Sequence, residues 1–334
     1  MNRQQLGVVA IGRNEGDRLV RCLEALQTHL SSNVPIVYVD SGSTDGSVAE
    51  AQARGVHVVE LDMSIPFTGA RARNAGIEYL LTRLPAVTYI QFIDGDCEIL
   101  PGWVDAAVAQ LASSPELAVV FGRLKERFPQ ASPYNQLADI EWNVPIGEAL
   151  QCGGISMMRT SALQEVDGFN GALICGEEPD LCIRLRQRGW KIRCIAVDMA
   201  FHDMDMTRFS QWWTRSVRGG WAIAQGADMY GNTPERYMVR QQLSGWVWGS
   251  LMPAAACVAA PTTQGISLFL LLAYPVLFFK LYRTRQNVGD SLRKSVTYAF
   301  FLTLSKIPQA IGQAKYWMNT WGDQPAQLIE YKGS

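Results

Sequence analysis

Apolar residues fall in short runs near the start of the chain, Leu6–Ile11, Val34–Val39 and Val56–Leu61, separated by small polar loops. After the first run, Leu19, Val20, Leu23 and Leu26 follow at helical spacing, and Val48–Arg54 opens a second helix after the second run. Strand, loop and helix in alternation predict parallel strands joined by crossover helices, hence a doubly wound α/β sheet. A fourth run, Tyr89–Ile93, ends in Asp94-Gly95-Asp96-Cys97. It reads as a buried strand carrying two carboxylates to its C-terminal tip, where open α/β sheets bind ligands. Two carboxylates about a glycine suit a divalent cation bridging to phosphate oxygens, although Asp-Gly is equally a common turn dipeptide.

The loops between these elements carry the candidate chemistry. Neither Gly12–Asp17 nor Ser41–Ser47 contains GxGxxG or the P-loop lysine pattern, so the familiar dinucleotide and ATP cradles are disfavoured. Asp40, ending the second strand, can accept from ribose hydroxyls or a base edge, or cap the following helix. Arg71 and Arg73 stand where a helix starts and could meet phosphates or a base carbonyl. A first helical turn favours acids over bases, which points to a ligand for at least one of them. Glu177 and Glu178 open a helix with Leu181 and Leu185 on its apolar side and Arg184, Arg186 and Arg188 behind, a place where a base can be held. His202-Asp203 follows the strand-like Ile192–Phe201.

Composition narrows the class. With 334 residues, 48% hydrophobic and 18% charged, the chain can bury a large core and carry an appendage. A net charge of −1 gives no basic surface for nucleic acid. Seven cysteines without a CxxC pair indicate neither a zinc module nor an oxidised scaffold. The apolar run after Met1–Gln5 is too short for a signal-peptide core, so the polypeptide is expected to begin in the cytoplasm.

The pattern changes beyond residue 205. Phe209, Trp212, Trp213 and Trp221 are interleaved with Arg208, Arg215 and Arg218, suiting either acceptor sugars or a membrane interface. No residue from Leu243 to Pro261, or from Gly265 to Phe279, is charged. This predicts a transmembrane hairpin over 243–282, flanked by Arg236 and Arg240 before and Lys280, Arg283 and Arg285 after, with both flanks cytoplasmic. A buried hairpin in a soluble protein is the competing reading. Val296–Ile311, interrupted by Lys306 and Pro308, is expected at the membrane interface, and Asn319–Ser334 as a polar tail. The expected divisions are a catalytic domain over 1–205, linker helices over 206–242, a membrane-associated region over 243–318 and a tail over 319–334.

Five motifs in order carry a resemblance. Val39-Asp40-Ser41-Gly42-Ser43-Thr44-Asp45, Ala70-Arg71-Ala72-Arg73-Asn74, Asp94-Gly95-Asp96, Cys152-Gly153-Gly154-Ile155-Ser156, and Gly176-Glu177-Glu178-Pro179-Asp180 together resemble the inverting family 2 glycosyltransferases of GT-A fold, over roughly residues 6–205. The resemblance implies a Rossmann-like nucleotide-diphospho-sugar transferase domain followed by a C-terminal helical membrane region. It implies a nucleotide-sugar donor, UDP-linked, held by Asn14, Glu15, Asp40, Arg71, Arg73, Asn74 and Asp94. It implies Mn²⁺ or Mg²⁺ on Asp96 and His202, and an acceptor near Gly153, Gly154, Trp212 and Trp213. In the family's Glu-Asp signature the second acid is the general base; that position is Glu178 here, one methylene longer, with Glu177 and Asp180 beside it. Gln211-Trp212-Trp213-Thr214-Arg215 only loosely echoes the Gln-x-x-Arg-Trp of processive synthases, favouring addition of single sugars.

The resulting expectation is a metal-dependent glycosyltransferase on the cytoplasmic face of the inner membrane, with a lipid-linked or cell-surface glycan acceptor. Two alternatives stand beside it. One is transfer to a polyprenyl phosphate, whose nucleophile is already ionised. The other is a non-catalytic sugar-nucleotide-binding scaffold of a polysaccharide assembly.

Overall fold

The computed structural model describes residues 6–322 and 329–330. It divides into two units, one taking the chain up to Arg127 and again Glu141–Met204, the other taking Phe128–Ile140 and the chain from Asp205. In the first unit β1 (Leu6–Gly12), β2 (Ile36–Asp40), β3 (His57–Glu60) and β4 (Tyr89–Asp94) are parallel, in spatial order 3-2-1-4. Between them run α1 (Asp17–His29), α2 (Ser47–Ala53) and α3 (Gly69–Arg83). β1, β2 and β4 are almost wholly buried, as strands covered on both faces must be.

Past these four parallel strands the sheet of this α/β unit becomes mixed. Beyond β4 come β8 (Ser156–Arg159), antiparallel to it, then β6 (Leu117–Glu126), β9 (Lys191–His202) and β5 (Cys97–Ile99). β7 (Gly147–Ala149) pairs with β9. β5 follows β4 after only Gly95-Asp96 and pairs elsewhere, so the acidic segment is the hinge between two parts of one sheet. α4 (Trp103–Ser113), α6 (Thr160–Glu165) and α7 (Glu177–Gln187) complete this unit. Gly76 of α3 lies against β1, where an added Cβ would come within 2.4 Å of Val9, so helix and sheet pack closely there.

Register decides where the site lies. Gly12 pairs with Asp40, and Ile11 with Asp94, so the chain ends of three adjacent strands are level. From β1 the chain turns to β2 on one side and later returns to β4 on the other. That reversal opens a crevice at the carboxyl edge of the sheet.

The second unit is helical. It contains α5 (Pro133–Glu141) up to Ile140, α8 (Phe209–Tyr230), α9 (Val239–Trp246), a π-helical turn (Val247–Leu251), α10 (Met252–Val258), a 3₁₀ segment (Ile266–Leu272), α11 (Ala273–Asn287), α12 (Leu292–Leu304) and α13 (Lys306–Trp321). Residues 128–140 join this unit although the sequence reading placed them in the catalytic domain. Ser132 Oγ donates to Met206 O at 2.6 Å, and Tyr134 packs on Trp212 and Phe301. α8 and α13 approach backbone to backbone, Gly220 against Gln309 and Gly312 against Val217.

Among the described residues one helix, Ile266–Asn287, is long and apolar enough to cross a membrane, so only the second arm of the expected hairpin meets that measure. Val296–Ile311 is divided between α12 and α13 rather than forming one segment. Of the expected tail, Asn319–Trp321 continue α13; residues 323–328 and 331–334 lie outside the described residues.

Candidate active site

The acidic segment and α7 meet around one arginine. Arg73, 3% exposed, sits in the second turn of α3, whose start is set by Thr68 accepting from Arg71 N at 3.1 Å. Its Nη2 reaches Asp94 Oδ1 and Glu178 Oε1, and its Nη1 reaches Glu177 Oε1, each at 3.0 Å. Both glutamates come from the first turn of α7, which begins after Gly176 in a left-handed conformation and tolerates Pro179 because a first-turn proline leaves no helical hydrogen bond unmade. Two other glycines make room. A Cβ at Gly69 would lie 2.5 Å from Glu177 Oε1, and one at Gly154 would lie 2.5 Å from Arg73 Nη2 and 2.8 Å from Asp94 Oδ2.

One guanidinium cannot neutralise three nearby carboxylates away from water, so one of them holds its proton more tightly. Burial, and then the charge of Glu177, push Glu178 up to about 7 against the pull of Arg73. Its side chain remains 15% exposed, enough to meet a ligand. Asp180 faces elsewhere: it is buried and paired to Arg184 through Nε at 2.9 Å and Nη2 at 2.8 Å, and Arg184 also binds the carbonyls of Val166 and Gly168. That pairing ties α7 to the 166–168 turn.

A second cluster lies past the glycine. Asp96 Oδ2 and His202 Nε2 are 3.2 Å apart, with Asp96 4% exposed and His202 held opposite Cys97 by the β5–β9 pairing. The Cys97 thiol donates to Asp96 Oδ1 at 3.3 Å, and the three donor groups lie within 4.8 Å of one another. The Asp96–His202 separation is about the edge of an octahedron with roughly 2.1 Å metal–ligand bonds, so this pair could hold a divalent ion. Trp142 covers the imidazole edge-on at 4.6 Å, and the buried Glu126 carboxylate stands 4.0 Å from Nδ1.

Several residues expected on the donor also build the loops around the crevice. Asp40 accepts from Gly42 N, Ser43 N, Ser43 Oγ and the Tyr38 hydroxyl, at 2.5–2.9 Å, which fills its lone-pair sites and shapes the Ser41–Ser47 loop. Arg71 donates to the carbonyls of Asp62, Ile65 and Pro66, bracing that loop. Asn74 clamps the Phe169 backbone, donating to its carbonyl at 2.7 Å and accepting from its N–H at 2.9 Å. Asn14, at φ 55°, accepts from Thr44 N at 2.7 Å and joins the first two loops. Glu15 pairs with Arg18 at 3.0 Å, and its Cγ flanks Gly95. Asp94 keeps a third of its side chain open to solvent beside Arg73.

Gly153 is the residue before Gly154, and a Cβ added there would meet open space. Trp212 and Trp213 belong to the helical unit. Trp212 is 1% exposed, enclosed by Tyr134, Phe209 and Phe301, so its ring is core and not an acceptor platform. The sequence alone assigns Tyr38, Gly69 and Cys97 no part in the site. Tyr38 could have been found, because residues two apart in a strand share a face. The approach of Gly69 to Glu177 and the pairing of Cys97 with His202 are tertiary.

Comparison with known proteins bears on the family and the fold. Residues 8–167 match glycosyl transferase family 2. The pre-mycofactocin glycosyltransferase of Mycobacterium tuberculosis is 24% identical over 236 residues, covering 67% of this chain and 47% of that protein. The amylovoran biosynthesis glycosyltransferase AmsB of Erwinia amylovora is 26% identical over 223 residues, 60% of this chain and 70% of that protein. This chain thus spans about half the length of its mycobacterial relative. Among solved structures, the mannosyltransferase PcManGT from Pyrobaculum calidifontis, in complex with GDP-Man and Mn²⁺, superposes with a TM-score of 0.57 at 17% identity, over 90% of this chain and 87% of that one, a likeness of fold alone. Its motifs, its matched residues and its mixed α/β sheet together support a family 2 glycosyltransferase domain of GT-A-type fold over the matched part of the chain.

Proposed function

We propose that this enzyme moves a sugar, with inversion, from a nucleotide-sugar donor to an acceptor hydroxyl, using a divalent cation held by Asp96 and His202 and Glu178 as the general base. The observation that carries this reading is the pair of acidic clusters on either side of Gly95, one of a kind to hold an ion and one poised near neutral pH. When bound, the cation would draw charge from the departing diphosphate. Asp96 and His202 would fix its place, with Cys97 orienting the Asp96 carboxylate. Glu178 would take the acceptor proton, its second neighbour Arg73 keeping the carboxylate aimed, and Glu177 and Asp94 would set its proton affinity. Asp180, closed by Arg184, leaves that role to Glu178.

The donor we infer is UDP-linked, on the family resemblance; GDP sugars belong in the test because PcManGT was solved with GDP-Man. An imidazole in the ligand pair favours Mn²⁺ over Mg²⁺. The exposed apolar helices of the second unit support a lipid-linked or nascent glycan acceptor at the cytoplasmic face of the inner membrane. The test is donor hydrolysis and transfer in detergent with a panel of UDP and GDP sugars, with and without Mn²⁺ or Mg²⁺. Metal-dependent release of one nucleotide, abolished in Asp96→Ala, is expected. Binding without release, even with membrane extract as acceptor, would support a scaffold instead. The same apolar helices favour a second reading, transfer to a polyprenyl phosphate; Glu178→Gln with full activity would select it.

A further inference from the structure

From the lengths and polarity of the helical unit we infer that residues 243–279 form a re-entrant hairpin, which enters an anionic bilayer from one face and turns back inside the hydrocarbon. The inference rests on the membrane reading above and specifies its mode, replacing a hairpin that crosses. The first uncharged arm, Leu243–Val258, is helical throughout; at roughly 1.5 Å per residue it reaches about 24 Å. The second arm combines the 3₁₀ segment Ile266–Leu272 with Ala273–Phe279, and reaches about 25 Å. The uncharged part of each arm falls short of a hydrocarbon core of about 30 Å. The second helix runs on to Asn287 and gains a spanning length only by taking in Lys280, Arg283 and Arg285, charges that favour the headgroup layer.

Apart from the exposed amide of Gln264, the tip offers nothing to hold a far headgroup layer. Between Ala259 and Ala273 there is no charged residue, tryptophan or tyrosine to anchor at a second interface. Its hydroxyls are satisfied internally: Thr262 and Thr263 Oγ1 donate to Ala259 O at 3.0 and 2.8 Å, and Ser267 Oγ to Ala256 O at 2.7 Å. Val258, Ile266, Phe269, Leu272 and Val276 are 60–78% exposed, so the apolar surface lacks a cover within the unit. The occupant follows from charge. Residues 206–322 hold twelve Lys and Arg against three acids, and none of these charges lies between Leu243 and Phe279. Arg240 stands at one foot of the hairpin and Lys280, Arg283 and Arg285 at the other, the arrangement that anionic headgroups on a single face would attract.

The experiment uses the full chain expressed in bacterial cells, with the exposed Cys257 changed to Ser; the other six cysteines are buried. Single cysteines are introduced as Gln264→Cys at the tip and Asn287→Cys at the foot. Each is probed with a membrane-impermeant maleimide on spheroplasts, on inverted vesicles and in detergent. Re-entrance predicts that Asn287→Cys labels from one side only, and that Gln264→Cys labels from neither side at more than a tenth of its value in detergent. Labelling of Gln264→Cys from the side opposite Asn287→Cys would establish a spanning hairpin and overturn the inference. Labelling of both from the same side would place the hairpin outside the bilayer and overturn it too. Flotation of the purified chain with phosphatidylglycerol vesicles separates the failures: no flotation removes the membrane reading itself, whereas flotation with a labelled tip removes only the re-entrant mode.

Discussion

Arg73 carries one positive charge against three carboxylates, and burial together with the charge of Glu177 pushes Glu178 up to about 7. The consequences for rate and stability have opposite signs. A base must be ionised, so transfer should rise with pH through about 7 and level off above it, and Glu178→Gln should lose on the order of 10²–10⁴ in kcat across that range. In the unfolded chain the carboxyl ionises near 4.5, so holding it at about 7 destabilises the fold progressively as pH rises from 4.5 to 7, and fully above. Glu178→Gln should therefore be more stable than the parent at pH 8, by up to about 3 kcal/mol, and equal to it near pH 4. Denaturant melts at the two pH values check the second expectation, and a pH–rate profile the first. A variant equally destabilised at both would show that Glu178 is packing and not a poised base.

At the scale of elements, the site depends on how closely three pieces of chain approach. The turn before β8 brings Gly154 against the Arg73–Asp94 pair, at a distance only a residue without a side chain permits. Gly154→Ala would push a methyl to 2.5 Å from Arg73 Nη2 and 2.8 Å from Asp94 Oδ2. Separation of that pair should cost about 1–3 kcal/mol of stability and lower activity at least tenfold. Gly153→Ala, one residue earlier with open space around it, is the control and should change stability by under about 0.5 kcal/mol. Equal effects at the two positions would rule out the close approach. Asn74 works at the same scale, joining α3 to the turn at Phe169 and so fixing α7 indirectly through Arg184.

For the whole molecule, the division into units does not follow the order of the chain. Residues 128–140 leave the sheet unit and pack with α8 and α12, where Trp212 is enclosed by Tyr134, Phe209 and Phe301. Trp212→Ala should destabilise the helical unit by about 3–5 kcal/mol. Mn²⁺ binding by Asp96 and His202, followed by electron paramagnetic resonance, should change less than twofold, since both ligands belong to the other unit. Loss of that binding together with the helical signal would show that the units fold as one.

Local periodicity sufficed for β1, β2, β4, α1 and α3, because a buried parallel strand and an amphipathic helix each announce themselves within a few residues. The order of the five motifs carried the resemblance to family 2 glycosyltransferases, and the acid–Gly–acid tip marked the edge of the sheet. What the local pattern could not hold was pairing across distance. That β5 joins β9 and so sets His202 beside Asp96 depends on strands about a hundred residues apart. That Asp40, expected on the donor or as a helix cap, also gathers the hydrogen bonds of its own loop, and that Trp212, expected at an acceptor or a membrane interface, is enclosed by Tyr134 and Phe301, lay outside any local pattern. The chain alone therefore determined which residues bear charge and which segments are helix or strand. Only the tertiary structure decided which charges share one buried space, and that sharing makes Glu178, one carboxylate of three around Arg73, the group that holds its proton to about 7.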